Sequence, residues 1–537
     1  MLARLGAGLL LLAALIFTPP LFNVSRLQHR IAASISASLG RPVHMDKVSL
    51  HLLPMPGFTL QNLVVSEDPA FGNEPIIRAG KVEVTLRPSS LWRRQVELSD
   101  IKFEVDDGGG APNLNLVRDA HGKWNIEGLL MHAAQVGIAP TAQLKAGPEP
   151  RFPYIEATGG RINVKLGDEK LPYALTEADF SLWLPDPQQW QVRLEAHPVR
   201  TDINAPDTGE LRLEGSLGRA STIADMPIDL HASWHKAPLG EVSKVVLGAD
   251  AEWRGTLMAD ASLLGRLGDA ELKTNIVVED LRRADFVPEK TLEFHTECSG
   301  KIDVTTAVVF SPQCSIPAPS SLAQAQVSAT ADRIDLSTPG STRIQIGSPG
   351  ISEDWLLDWV RLFSQRIPPC ASCAKALVKG SMVYLGGAVA DGGSWQGRIE
   401  GTVPALDHTN SDRTSPENER PSFAIAGAGD EFVIDPVDLS TPGKPPLSLS
   451  GTFDKNGYAL NLIGTATETQ MHSLETAMPP LGEGLDKLLP TLFTGNSKIA
   501  KVNILCSRKW GAEESCTTIP LEILPPKPHR GNKASSR

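Results

Sequence analysis

A basic surface is the first thing this sequence lacks. Its 51 Lys and Arg are outnumbered by 62 Asp and Glu, giving a formal net charge of −11. A nucleic-acid binder needs cationic surface to meet phosphate, so nucleic acid is not expected as a partner. Catalytic signatures are missing as well. No G-x-S-x-G, H-E-x-x-H, P-loop or G-x-G-x-x-G stands in a suitable context. The 12 histidines are scattered. His231 and His235 share a strand-like run, and four residues along a strand separates them by about 13 Å, too far to chelate one metal. They read as surface residues, and the R-R pairs at 93–94 and 282–283 as solvated faces. No catalytic residue, cofactor or metal is nominated. Fixed repeats of the propeller or leucine-rich type are also absent. So are long apolar runs after the N-terminus, where charges or prolines interrupt every stretch within about ten residues, half of what a bilayer span requires.

What is present begins with one apolar segment. Leu5 to Phe17 carries no charge, Leu9 to Leu12 is unbroken leucine, and Thr18, Pro19, Pro20, Leu21 and Phe22 follow. With its flanks the segment reaches the roughly 20 residues of a transmembrane helix. Arg4 in front of it is a weak positive-inside signal. The expectation is a single N-terminal anchor over 1–23, with the bulk of the chain outside the cytoplasm. A cleaved signal peptide is the alternative, although no clear A-x-A site follows. A buried helix of a cytoplasmic domain is a third, weaker reading.

Six cysteines fall in three local pairs: Cys298 with Cys314, Cys370 with Cys373, and Cys506 with Cys516. Close pairs with none left over suit disulfides in an oxidising compartment. Cys370 and Cys373 form C-A-S-C, which also fits a redox dithiol or half a zinc site. Pro368 and Pro369 before it make a poor thioredoxin-like frame, and a second C-x-x-C for zinc is missing. Inert thiols and cross-connected pairs remain open.

Apolar residues at Val24, Leu27, Ile31, Ile35 and Leu39 lie on one face of a helix, which Gly40 and Pro42 stop. From Val43 the period changes to two. Val48, Leu50 and Leu52 alternate with polar neighbours, as do Val82, Val84 and Leu86, and Phe103 and Val105. Turn formers at 54–57, 68–73 and 87–90 separate these runs. D-D-G-G-G-A-P (106–112) is a loop, and 113–126 reads as two short strands around His121 and Gly122. The chain then divides into a linker at 132–150, a central β region at 151–350, and a helical island with a β segment carrying C-A-S-C at 351–403. A surface loop at 404–420, a β region at 421–524 and a disordered tail at 525–537 complete it. Within the centre, 155–166 is a hairpin candidate. Many strand-like runs of about seven to ten residues follow, among them G-E-L-R-L-E-G-S-L (209–217) and A-E-L-K-T-N-I-V-V (270–278). Helices are expected over 351–365 and roughly 474–491. Trp183, Trp190, Trp234 and Trp253 lie on predicted strands, as core packing or as the lining of an apolar groove.

The N-terminal third resembles the AsmA family. The resemblance rests on the anchor and amphipathic helix, then G-R-P-V-H-M-D-K-V-S-L (40–50) and P-G-F-T-L-Q-N-L-V-V-S-E-D-P-A-F-G-N-E-P (56–75). A-G-K-V-E-V-T-L-R-P-S-S-L-W-R-R-Q-V-E-L (79–98) and N-L-N-L-V-R-D-A-H-G-K-W-N-I-E-G-L-L (113–130) follow. The fit is strong for 1–130, moderate for 131–340 and weak beyond. D-D-G-G-G-A (106–111) interrupts the usual strand, and paired cysteines are not a family hallmark. The resemblance implies a mainly β protein, with an elongated, strongly twisted open sheet folded like a taco behind one transmembrane helix, with a few short helices, related in architecture to TamB and the chorein-type lipid-transfer proteins. It implies a bacterial inner-membrane location with the bulk in the periplasm, and a non-enzymatic role in outer-membrane biogenesis.

Many one-sided strands need something to cover the dry face: a closed barrel, a sandwich or bound acyl chains. The partners expected are a phospholipid or other acyl-chain lipid and the inner membrane through the N-terminal helix, with an envelope protein as a further candidate. The alternatives are a structural or regulatory scaffold that binds envelope proteins, and an enzyme acting on glycans or other substrates. Trp183, Leu211, Leu213, Trp253, Ile276 and Val278 are the groove candidates. Leu211 and Leu213, and Ile276 and Val278, should each share a face, with Arg212 and Asn275 pointing away.

Overall fold

The computed structural model describes residues 28–29, 31–33, 35–36, 40–53, 55–87, 98–106, 108, 110–119, 123–128, 153–166, 173–186, 189–317, 326–336, 342–362, 377–385, 394–402, 422–440, 446–454, 456–477, 482–494, 498–509 and 512–520. The apolar segment before residue 24, the 132–150 linker, Cys370, Cys373, the 404–420 loop and the tail lie outside them. Among the described residues no helix is long and apolar enough to cross a membrane.

Alternation over many runs gives one 26-stranded sheet. Its first part comprises β1 (Val43–His44), β2 (Lys47–His51), β3 (Gly57–Val65), β4 (Ile77–Leu86), β5 (Leu98–Glu104) and β6 (Asn113–Arg118). β1 and β2 together form one edge, both pairing with β3. β4 pairs with β5 through Lys81↔Glu104 and with β6 through Arg78↔Asn113. β5 and β6 are therefore one strand interrupted by the D-D-G-G-G-A-P loop, as the sequence indicated. Val48, Leu60, Val82 and Val84 close a core under helical turns carrying Ile31, Ala32 and Ile35.

The next part begins with β7 (Tyr154–Leu166), which pairs in parallel with both β5 and β6. The hairpin expected at 155–166 is instead this single strand. Gly159 takes φ 59 there, and the register shifts beside Gly160. A residue free to adopt positive φ makes a bulge that bends the strand without reversing it. An antiparallel meander follows: β8 (Tyr173–Asp186), β9 (Gln189–Arg200), β10 (Glu210–Gly218), β11 (Pro227–Pro238), β12 (Trp253–Arg266), β13 (Asp269–Arg283), β14 (Leu292–Asp303), β15 (Val308–Pro317), β16 (Gln326–Ala331), β17 (Arg333–Asp335) and β18 (Arg343–Ser352). Helix α1 (Leu239–Leu247) sits between β11 and β12, and α2 (Glu353–Arg361) follows β18. α1 was not expected from the sequence. It ends at Gly248, whose φ of 81 lets its N–H reach the Lys244 carbonyl.

The last part holds β19 (Leu377–Leu385), β20 (Ser394–Thr402), β21 (Ser422–Gly429), β22 (Glu431–Asp438), β23 (Leu447–Phe453), β24 (Gly457–Thr467), α3 (Glu468–Ala477), α4 (Gly482–Leu492), β25 (Ile499–Lys509) and β26 (Ser515–Thr518). The single helix expected near 474–491 is two helices, because Pro479 and Pro480 stand between them. Met471, Leu474, Leu485 and Leu489 of this helix pair are fully or almost fully buried on Leu460, Leu462, Val502 and Ile504. β26 is the other edge, paired among the described residues with β25 alone. Among the described residues no pairing joins the two edges, so the sheet stays open.

Candidate functional site

Cross-strand register shows what the two faces carry. One line of partners runs Ala157–Phe180–Leu194–Leu213–Ala232–Ala261–Thr274–Cys298–Cys314–Ala329–Ile346–Met382–Gly397–Gly427–Phe432–Phe453–Tyr458. It crosses the sheet from β7 to β24 without a charged side chain. The line one residue away runs Glu156–Ser181–Arg193–Glu214–His231–Ser262–Lys273–Ser299–Gln313–Thr330. Side chains alternate between faces along every strand, so one face of the sheet is apolar and the other polar.

The apolar face is covered only in part. The N-terminal helical turns close its start, and α3 with α4 closes its end. Along one long rim, Val242 of α1 packs on Leu257 and Val278, and Trp359 of α2 reaches the same cluster. Trp355 and Leu356 of α2 pack on Val327, Ile351 and Val378. The opposite rim, where β9 starts and β10 ends, has no helix over it among the described residues. From β8 to β16 the sheet spans eight inter-strand steps of about 4.8 Å, roughly 40 Å in all. Along it Trp190, Val192, Leu194 and Ala196 of β9 are buried, and Leu213, Ala232, Ala261 and Thr274 are half-buried.

The candidates divide on this frame. Leu211, Trp234, Ala259 and Ile276 are successive partners in one line, and Leu213 lies in the next, so Leu211, Leu213 and Ile276 share the apolar face. All three are half-buried; Leu213 packs on Leu194 and Ala196, while Ile276 packs against the α1-covered cluster. Arg212 and Asn275 belong to the polar line through Ser233 and Asp260, as expected. Val278 shares the face of Ile276 but is only 5% exposed and lies under α1, so it belongs to a sealed cluster and not to the open strip. Trp253 packs into the same cluster, with the Arg283 guanidinium 5.6 Å from its ring centre. Trp183 is on the wrong face for a groove. It pairs with Gln191, while Leu182 and Phe180 meet Val192 and Leu194. Its ring lies 6.2 Å from that of Tyr154, whose hydroxyl donates to Ser181 at 3.0 Å.

Two features escaped the sequence reading. Rings of Tyr384, Trp395, Phe432 and Phe453 form a ladder on the apolar face, with centroids 5.0, 5.3 and 4.8 Å apart. Gly427 sits beneath it, where an added Cβ would come within 3.0 Å of the Trp395 side chain. The sequence signal was each aromatic residue near a strand end, but their juxtaposition depends on register. The second feature is a cavity of about 1210 Å³. Its walls are triplets such as Arg193-Leu194-Glu195, Arg212-Leu213-Glu214 and Lys273-Thr274-Asn275. The outer two of each triplet are polar-face residues, and Leu211, Trp234 and Ile276 are absent from the walls. The cavity therefore lies against the polar face and is not the apolar strip.

Cys298–Cys314 and Cys506–Cys516 are disulfides between directly opposed strand residues. The first lies on the apolar face in line with Leu213. The second is beside Glu514, which accepts hydrogen bonds from the Tyr458 hydroxyl at 3.1 Å and the Gly484 N–H at 2.9 Å. Burial above all, with the Glu514 carboxylate beside it, raises the Tyr458 pKa and keeps the phenol protonated. Cys506, Cys516 and Glu514 cluster closely enough to suggest a metal site, but the disulfide occupies both sulfurs. On the polar face His235 is 2.9 Å from Asp260 and His231 is 3.6 Å from Asp229, both as exposed pairs.

Fold and site define a class: an open, two-faced β-sheet with helices at both ends and along one rim, and an apolar strip on which, among the described residues, no helix packs. A model of the AsmA family matches residues 2–152, so the N-terminal part of the chain is similar to that family. The match ends where β7 begins. No curated protein matches the chain, and no solved structure matches it.

Proposed function

We propose that the chain is a non-enzymatic envelope protein of outer-membrane biogenesis. In this reading the bare strip is the floor of an elongated, taco-like groove that holds phospholipid acyl chains between the inner and outer membranes. The observation that carries it is the uncharged register line from Ala157 to Tyr458, lying beside helices that cover its ends and one rim but leave its centre open. A half-buried apolar floor with no helix packed on it suits acyl chains, whose burial supplies the binding energy. The AsmA-family match over residues 2–152 supports the envelope location, and two disulfides fit an oxidising compartment such as the periplasm. A single inner-membrane span at 1–23 would tether the groove to its lipid source, and the architectural relation to TamB and chorein-type proteins belongs to the same proposal.

Photoreactive residues placed one at a time at 211, 213 and 276, against 212 and 275, test it. Lipid adducts should concentrate on the first set. Equal labelling of both sets would leave the groove without support. The scaffold reading has one observation of its own, the charged cavity on the polar face. Protein adducts at 212 and 275 with no lipid at 213 would favour it.

A further inference from the structure

At the rim opposite α1 and α2, strand β10 ends in Leu217, Gly218 and then Arg219. Alternation along the strand carries Leu213, Gly215 and Leu217 on the apolar face, and Arg219 continues that series past the strand end. Its guanidinium carbon lies 5.3 Å from the ring centre of Trp190, a buried residue whose partner across the ladder is Leu217. Stacking uses the flat face of a guanidinium. The N–H donors radiate from its edge and stay available for an oxyanion. The Arg219 Nε is out of contact with solvent and has no hydrogen-bond partner.

Other stacked arginines do not share this state. Arg200, over Tyr173, is held by Asp202 at 2.8 Å. Arg283, over Trp253, is held by Asp285 at 3.0 Å and by Glu252 at 2.9 Å. Both stand at the helix-covered rim. Arg333, over Phe310, has Asp335 at 3.6 Å. No carboxylate is paired with Arg219 among the described residues.

We propose that Arg219 is a headgroup site, which takes the phosphate of a glycerophospholipid whose acyl chains lie on the strip from Leu217 inward. This rests on the acyl-groove reading above and adds what the apolar strip cannot supply, an orientation. The phosphate sits at the end of β10 beside Trp190, and the chains run from there over the floor. Phosphate fits the edge of a guanidinium in a two-point contact that a neutral hydroxyl cannot make. Trp190 holds the plane of the cation, so little freedom is lost when the anion arrives.

The full chain would be purified in a non-ionic detergent. Its affinity would be measured for phosphatidylglycerol and for diacylglycerol of the same acyl composition. Wild type should prefer the phospholipid by about tenfold, the worth of one charge-assisted contact near solvent. Arg219→Gln should erase that preference while diacylglycerol binding stays. Arg219→Lys, which keeps the charge without the planar fork, should retain part of it. Thermal unfolding and intact disulfides would show that each variant folds. An Arg219→Gln protein that keeps the full preference overturns the headgroup site and leaves the groove standing. Failure of both lipids to bind wild type overturns the groove reading itself. Excess inorganic phosphate should not displace the lipid, since an untethered anion lacks the chain contacts. Displacement by phosphate alone would overturn the assignment to a lipid.

Discussion

A single charge placed on the strip separates the lipid-binding face from the rest of the sheet. Leu213 lies in the uncharged register line between Leu194 and Ala232, half-buried and with no helix above it. Leu213→Asp puts a carboxylate where an acyl chain would lie. One strand step of about 4.8 Å spans roughly four methylenes of an extended chain. A methylene touching the floor from one side recovers about half of the ~0.8 kcal/mol of full burial. Losing that contact costs about 1.5 kcal/mol, and covering a carboxylate with hydrocarbon adds at least as much again. Affinity should therefore fall by about 150-fold or more, equivalent to about 3 kcal/mol. Folding should suffer less, by about 1–2 kcal/mol, because in the free protein the carboxylate reaches water. Arg212→Asp, one residue away on the polar face, should leave lipid affinity within about twofold, a difference of ~0.4 kcal/mol. The assay is equilibrium binding of a fluorescent phospholipid to the purified full chain, with thermal unfolding run on both variants. Unchanged binding by Leu213→Asp, or an equal loss in Arg212→Asp, would refute the two-face argument.

The other predictions concern stability. Val278→Asp buries a charge under α1 and should cost more than about 4 kcal/mol, seen as a large fall in unfolding temperature, whereas Val278→Ala should cost about 2 kcal/mol. Replacing Cys506 and Cys516 together by Ala opens a loop with sequence separation 10 and should cost about 2–3 kcal/mol, read from denaturant unfolding against wild type. Non-reducing peptide mapping should recover both described disulfides. Asp100 has a pKa raised by burial first, with Lys102 opposing and Glu156 adding to the rise, and its Oδ1 has no hydrogen-bond partner. The folded state thus binds the proton more tightly than the unfolded one, so ionised Asp100 works against folding above its unfolded pKa. Asp100→Asn should raise stability at neutral pH, and that gain should vanish as pH falls below the unfolded value. An equal gain at all pH values would count against the assignment.

Strand identity was legible because its signal is local. V-E-V-T-L and L-R-L-E-G-S-L need only their own alternation to show which side chains will be dry. Disulfide partners were legible for a related reason, since Cys298 and Cys314, or Cys506 and Cys516, flank a single turn of a meander. Bulges were not. The T-G-G at 158–160 reads as a turn, and only the pairing of β7 with β5, β6 and β8 makes it a bend within one strand. α1 was hidden by its length, because nine residues after a proline give little periodicity to detect.

Faces were legible strand by strand, but the cover was not. F-S-L-W-L offers apolar residues on both faces, and irregularities in β8 decide which are dry: the register shifts between Thr176 and Asp179 and again between Trp183 and Asp186. That is why Phe180 and Leu182, and not Trp183, join the apolar line. Val278 was legible as dry, and is dry, but a helix from 39 residues earlier in the chain sits on it. A dry face satisfied by protein and a dry face left for lipid carry the same sequence pattern. The difference lies in whether a second layer reaches that point, and here the second layer is short. The N-terminal turns, α1, α2, and α3 with α4 each lie on a rim or an end, and among the described residues no helix packs on the centre of the roughly 40 Å between them. If the strip were a core awaiting a missing partner domain, its rows would carry the large side chains that fill a sandwich. Instead Ala232, Ala261, Thr274 and Ala329 lie along its centre. Small residues leave room over a floor, which suits a mobile chain of methylenes better than interdigitated packing from a second sheet.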